Sequence, residues 1–151
     1  MLNLIIKLQN YENNIVNIIM DRSRFRPKNK DELKKAIESY DCEATWNEHG
    51  TIGTWDVSNI TDMSSLFVNF ITFGHNYDIS RWDVSNVTDM NSMFLRSDFN
   101  GDISNWDVSN VTIMQYMFYE SNFNNDISEW DVSNVTNVFN MFRYSQFNSD
   151  I

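Results

Sequence analysis

Apolar and polar positions along the second two-thirds of the chain fall into one block written four times. Residues 55–67 read WDVSNITDMSSLF, 82–94 WDVSNVTDMNSMF, 106–118 WDVSNVTIMQYMF and 130–142 WDVSNVTNVFNMF. Successive block tryptophans are 27, 24 and 24 residues apart. Self-similarity at such a period marks a repeat architecture. Within each copy the periodicity changes midway. In residues 102–108 (DISNWDV), Trp106 and Val108 flank Asp107 at period two, which predicts a short strand. Beyond Ser109 and Asn110 the apolar positions are Val111, Met114, Met117 and Phe118. Steps of three and four predict a short helix. Thr112 is placed to cap it, and Asp62 and Asp89, one position later in the first two copies, suit its dipole. A polar loop follows, pinned by Phe123 in the third copy and by Phe99 and Phe147 in its neighbours. The first copy carries three more residues in this loop, between 68 and 77.

Upstream, Asn29 and Glu32 form a capping-box pair. Leu33, Ala36, Ile37 and Tyr40 then fall on one helical face, and Lys30, Lys34 and Lys35 are expected to face water. Residues 25–45 thus read as a helical cap over the first copy, because the terminal units of a repeat stack need covering. Residues 1–24 fit short helices and short strands equally. The predicted fold class is an α/β, leucine-rich-repeat-like solenoid of short parallel strands and short helices. Its parts are an N-terminal capping segment, 1–45, a half coil, 46–54, and coils at 55–81, 82–105, 106–129 and 130–151. Ile52 precedes Trp55 by three residues, as Ile79, Ile103 and Ile127 precede their tryptophans, while Gly53 stands where later copies have Ser80, Ser104 and Ser128.

Stacking would align the polar positions too. Ser58, Ser85, Ser109 and Ser133 form one column, and Asn59, Asn86, Asn110 and Asn134 another. Ser and Asn at a bend serve backbone groups that a tight turn leaves unpaired. Two acidic columns, Asp56, Asp83, Asp107, Asp131 and Asp78, Asp102, Asp126, Asp150, bring like charges together. They fit either carboxylates accepting backbone N–H groups at turns or calcium held between coils.

Charge narrows the partners. The net charge is -10, and residues 55–151 hold all of the excess, with 13 acidic and 3 basic side chains (Arg81, Arg96, Arg143). Such a surface repels phosphates and anionic lipid, so no nucleic-acid partner is expected. Hydrophobic residues make up 42%, enough to bury a core, yet no run reaches the roughly 18 apolar residues of a membrane span. The single Cys42 excludes an internal disulfide, and His49 and His75 lack the clustered ligands of a zinc site. No phosphate loop or nucleophile motif occurs. No cofactor, metal or catalytic residue is expected, and the chain reads as no enzyme. The 22 asparagines hint at an AT-rich source. The start, MLNLIIKLQNY, makes a poor signal peptide.

WDVSNVTDMxxMF followed by FNxDIS resembles the BspA-like bacterial surface protein repeat, also described in mycoplasma lipoproteins and in giant viruses. The resemblance covers residues 46–151, and the preceding FRPKNKDELKKAIESY is similar to the segment that leads into such arrays. It implies a leucine-rich-repeat-like solenoid with adhesion or protein-binding roles and no catalytic residues. Departing from the surface members, this chain shows no signal peptide or lipoprotein cysteine, so an intracellular or virion-associated location is expected over a secreted one. The function expected is a repeat scaffold for protein interaction or surface attachment; the alternative is a calcium-stabilised component of a virion or surface layer. Exposed positions that differ between copies are the candidate partner-binding residues: Arg81, Asn105 and Glu129 before the tryptophans, Gln115 and Tyr116 in the block, and Arg96, Tyr119, Arg143 and Tyr144 in the loops. Asp150 and Ile151 repeat Asp126 and Ile127. The last coil is therefore expected to be open and to support end-to-end self-association.

Overall fold

The computed structural model describes residues 24–40, 49–72 and 77–149. The segment 1–23, Cys42, Trp46, His75, Asp150 and Ile151 lie outside the described residues. Helix α1 spans Lys30–Glu38. Asn29 caps it by accepting the Glu32 N–H at 3.0 Å, and the Glu32 carboxylate reaches back to the Lys28 N–H at 2.7 Å. Leu33, Ala36 and Ile37 are its buried face.

The four copies lie one on another as layers 1 to 4, which start at Trp55, Trp82, Trp106 and Trp130. Isolated parallel bridges join Asp62 to Asp89, Asp89 to Ile113 and Ile113 to Asn137. This overturns the α/β leucine-rich-repeat-like reading. Among the described residues the only helices are α1 and a 3-10 turn at Ile52–Thr54, and no bridge extends into a strand or sheet.

Turn chemistry explains the missing strand. Trp106 N–H closes a turn onto the Ile103 carbonyl at 3.2 Å, and Val111 N–H another onto Val108 at 2.9 Å. Asp102 and Asp107 accept the N–H groups of Ser104 and Ser109 at 2.9 and 3.1 Å. Local side-chain acceptors compete with a ladder for the backbone. The alternation still sorts the side chains: Trp106 and Val108 are buried and Asp107 is exposed.

The predicted helix is absent for a second reason. From Met90 onward, alternate N–H groups leave the layer: Met90, Ser92, Phe94 and Arg96 donate to carbonyls of Ile113, Gln115, Met117 and Tyr119 at 2.8–2.9 Å. The residues between them close three-residue turns, Met93 onto Met90, Leu95 onto Ser92 and Ser97 onto Phe94. The next layer repeats the scheme, with Met114, Tyr116, Phe118 and Glu120 donating to Asn137, Phe139, Met141 and Arg143. Ser92, Arg96, Tyr116, Glu120, Asn140 and Tyr144 sit at φ of 52 to 61°, a left-handed conformation no α-helix contains. Turns that each reach back three residues bury the same positions as a helix would, so Val111, Met114, Met117 and Phe118 are all buried. The helix roles of Thr112, Asp62 and Asp89 fall with the helix. Thr112 Oγ1 instead donates to Thr88 O at 3.1 Å, and the Asp62 and Asp89 carboxylates accept the N–H of Ser64 and Asn91.

The core is a set of aligned columns. Phe67, Phe94, Phe118 and Phe142 stack at 5.2, 5.6 and 5.5 Å with interplanar angles of 9° or less. Phe99, Phe123 and Phe147 lie flat against them at 4.3–4.7 Å, which holds the loops to the core. Each tryptophan from layer 2 on donates its indole N–H to the carbonyl of the isoleucine three residues before the preceding layer's tryptophan: Trp82 to Ile52 at 2.8 Å, Trp106 to Ile79 at 3.2 Å, Trp130 to Ile103 at 3.1 Å. Each Asn of the WDVSN motif likewise donates to the preceding Ser carbonyl: Asn86 to Ser58, Asn110 to Ser85, Asn134 to Ser109, at 2.7–2.9 Å.

Residues 25–34 complete the same scheme at the first layer. Asp56 N–H donates to Phe25 O at 2.9 Å, and Asn59 Nδ2 to Pro27 O at 2.9 Å, the place a Ser carbonyl takes elsewhere. Lys30 Nζ binds both Asp62 oxygens at 3.0 Å and Ser64 Oγ, and Lys34 Nζ binds Ser65 O at 3.2 Å. The expectation that both lysines face water is thus corrected. Gly53 accepts no side chain, because a Cβ there would stand 2.5 Å from the Asp78 carbonyl oxygen of the next layer.

Candidate functional site: an exposed aromatic and arginine face

The left-handed turn positions, and the residues just before them, lie at the surface along one lateral ridge, whereas the residues that follow, such as Met93 and Met117, are buried. Layers 3 and 4 fill this ridge with aromatic rings. Tyr116 meets Tyr119 edge-on at 5.6 Å and Phe139 at 5.5 Å, and Tyr119 meets Tyr144 at 5.7 Å. The Arg143 guanidinium lies 4.7 Å from the Tyr144 ring centre and donates to its hydroxyl at 2.9 Å. Arg96 Nε binds Glu120 Oε2 at 2.8 Å across the layers. Phe139 and Tyr144 are 59% and 65% exposed, unusual for large rings in a chain with so well-filled a core.

The charges here are held in place. The Arg96 bond, ahead of the Tyr119 bond, keeps the Glu120 carboxyl below its ordinary range. Partial desolvation, then Glu120, pushes the Tyr119 phenol up. The Tyr144 hydroxyl raises Arg143, which stays cationic. The ridge is thus a neutral-to-basic aromatic face on an otherwise acidic array.

Of the nine candidate residues, five are joined by these contacts: Arg96, Tyr116, Tyr119, Arg143 and Tyr144. Gln115 instead accepts a bond from Asn137 Nδ2 at 2.8 Å. Arg81, Asn105 and Glu129 sit apart, exposed in the turns between Ile and Trp. Phe139 and Glu120 were not among the candidates. Phe139 occupies the position of Gln115 one layer on, so its variability between copies was readable.

Among the described residues the acidic columns are spent on turns. Asp56, Asp78, Asp102 and Asp107 each accept both the N–H and the hydroxyl of the serine two residues on, and Asp126 and Asp131 accept the serine N–H. These bonds hold the Asp78, Asp102, Asp107, Asp126 and Asp131 carboxyls below the ordinary range. At Asp56 burial pulls upward, but Ser58 and Arg26 outweigh it; at Asp62, Ser64 and Lys30 do the same. No group of three His, Cys, Asp or Glu gathers among the described residues. His49 lies against the Phe25 ring at 3.8 Å.

A model of the family described as "Mycoplasma protein of unknown function, DUF285" matches residues 31–151, that is, α1 and all four layers. The chain belongs to this family. The match begins with the cap, consistent with α1 being part of the repeated structure's first interface rather than an appendage. No curated protein and no solved structure matches the chain. Among the described residues no helix is long and apolar enough to cross a membrane.

Proposed function

We propose that this DUF285 chain is a non-enzymatic scaffold for protein interaction or surface attachment, in the manner of BspA-like repeats, and that the aromatic and arginine ridge is its contact face. The observation carrying this reading is the surface cluster of half-buried Tyr116 and Tyr119 with exposed Phe139 and Tyr144 around Arg143. Tyr and Arg dominate interface hot spots because they combine large rigid area with a polar handle. The left-handed turn positions support the reading too: they display side chains whose replacement leaves the core columns untouched. The calcium alternative draws no comparable support, since the aspartates have partners in their own turns.

A photo-crosslinking residue at position 144, with a matched one at 105, tests the proposal in extract from cells that make the protein. A discrete adduct from position 144, lost in F139S/Y119S at unchanged melting temperature, is expected. Equal labelling from both positions would refute it.

A further inference from the structure

We propose that Asn100 is a site of spontaneous covalent modification: in the folded chain it cyclises onto Gly101, releases ammonia and opens to isoaspartate or aspartate. The inference does not depend on the ridge. Residues 100 and 101 are the one Asn-Gly pair in the chain. They follow Phe99 in the loop of layer 2, where Asn100 is exposed to water. Packing, not backbone conformation, requires the glycine. A Cβ on residue 101 would stand 2.6 Å from Phe99 Cζ, and that ring, itself buried, is stacked on Phe94 at 4.7 Å. Without a Cβ, the Gly101 nitrogen is open to close approach.

The hydrogen bonds of the loop favour the reaction. Among the described residues the Gly101 N–H, the nucleophile, has no acceptor, and Asn100 Nδ2, the leaving group, donates to nothing. The electrophile is activated: Asn100 Oδ1 accepts the Asn124 N–H at 2.8 Å and a second bond from Asn125 Nδ2 at 3.2 Å. Donors fixed on a carbonyl oxygen stabilise the charge that develops there on attack. Asn125 Nδ2 also reaches Asn100 O at 2.7 Å and Gly101 O at 3.2 Å, which holds the pair against layer 3. Water is the only co-reactant. The Gly101 nitrogen gives its proton to solvent and bonds to Asn100 Cγ; the Cγ–Nδ2 bond breaks, and ammonia leaves with a solvent proton. Water then opens the succinimide. Addition at Cγ restores the main chain with an aspartate. Addition at the Asn100 main-chain carbonyl carbon gives isoaspartate, whose main chain runs through Cβ and Cγ. Both products add one negative charge, and the second lengthens the backbone between buried Phe99 and Ile103. The next layer supplies a control. Asn124 holds the place of Asn100, and its Oδ1 accepts the Asn148 N–H at 2.7 Å. The residue after it is Asn125, whose side chain crowds the attacking nitrogen.

The test holds the full chain in neutral buffer, samples it over weeks, and maps its peptides by mass spectrometry with isoaspartate and aspartate resolved. Asn100 should convert at least about tenfold faster than Asn124, with isoaspartate among the products. A synthetic peptide of residues 97–105, which lacks the donors of layer 3, gives the unfolded reference. The folded chain should convert Asn100 at no less than about a tenth of the peptide's rate, since reaction confined to rare opening of the loop would be far slower. Asn125→Ala removes one donor from Oδ1 and should slow conversion by about twofold or more. The comparison of wild-type chain with peptide keeps the test valid if that substitution disturbs folding. Asn100 left intact in the folded chain while the peptide reacts, or equal conversion at Asn100 and Asn124, would overturn the proposal.

Discussion

One substitution made at two equivalent tryptophans should have two different effects. Trp106 is 4% exposed and its indole N–H donates to Ile79 O at 3.2 Å. Trp55 is 3% exposed, but its Nε1 has no partner among the described residues. Replacing either by Phe keeps an aromatic ring and leaves a void, at about 1–2 kcal/mol for a large buried ring reduced in size. At Trp106 the hydrogen bond is lost as well, which adds about 1 kcal/mol, for a total of about 2–3 kcal/mol. At Trp55 the change removes a buried donor that burial leaves unbonded, recovering about 1–3 kcal/mol, so the net effect is near zero. For a chain of this length 1 kcal/mol moves the midpoint by about 2–4 °C. Calorimetry should therefore place W106F about 4–12 °C below wild type and W55F within about 3 °C of it. Trp106→Ala, which removes the ring altogether, should cost about 3–5 kcal/mol. Equal losses for W55F and W106F would refute the reasoning, since the layer-to-layer indole bonds would then contribute nothing measurable.

Ser92→Gly should raise stability by about 0.5–1 kcal/mol, because Ser92 sits at φ 56°, where a Cβ is strained; were the segment helical, the same change would lower it by a similar amount, so the sign of the melting shift decides. Acid should destabilise the fold: the aspartates held in turns have folded-state values below the unfolded one of about 3.9, so their contribution is complete above that pH and is lost as pH falls through the folded values. A melting temperature flat from pH 7 to about 5 and dropping below about 4 is expected; a rise below pH 4 would mean that relief of the net negative charge dominates instead. Gly53→Ala should cost about 1–3 kcal/mol in a urea titration, because the added methyl meets the Asp78 backbone, which cannot swing aside; a neutral result would show that the turn at Gly53 and the turn at Asp78 sit farther apart in solution.

The sequence disclosed which side of the chain faces inward but not how the backbone gets there. Steps of three and four at Val111, Met114, Met117 and Phe118 suit an α-helix and a run of three-residue turns alike. The deciding residues, Ser92, Tyr116 and Asn140, adopt positive φ without the glycine that would have announced it. Trp106 and Val108 alternate as in a strand, yet the aspartate and serine beside them prefer each other to a ladder. The cap was readable from Asn29, Glu32 and the apolar stripe; the tasks of Lys30 and Lys34 were not, because their acceptors are more than 30 residues away. On the ridge, Tyr and Arg stood out through variation between copies, and Phe139, which varies at the same position as Gln115, was not among the candidates.

The alternation of N–H groups between layers fixes how such a chain can change length. One inserted residue within 90–96 would send the wrong set of donors across and turn Met93 and Phe94 out of their columns. A whole layer of 24 residues restores every partner. The three additional residues of the first copy fall between Phe70 and Tyr77, after Asn69, the last of the alternate N–H groups that donate to carbonyls of the next layer. Growth and loss in this architecture are thus quantised, and the frame that counts is set by hydrogen-bond parity as well as by hydrophobicity.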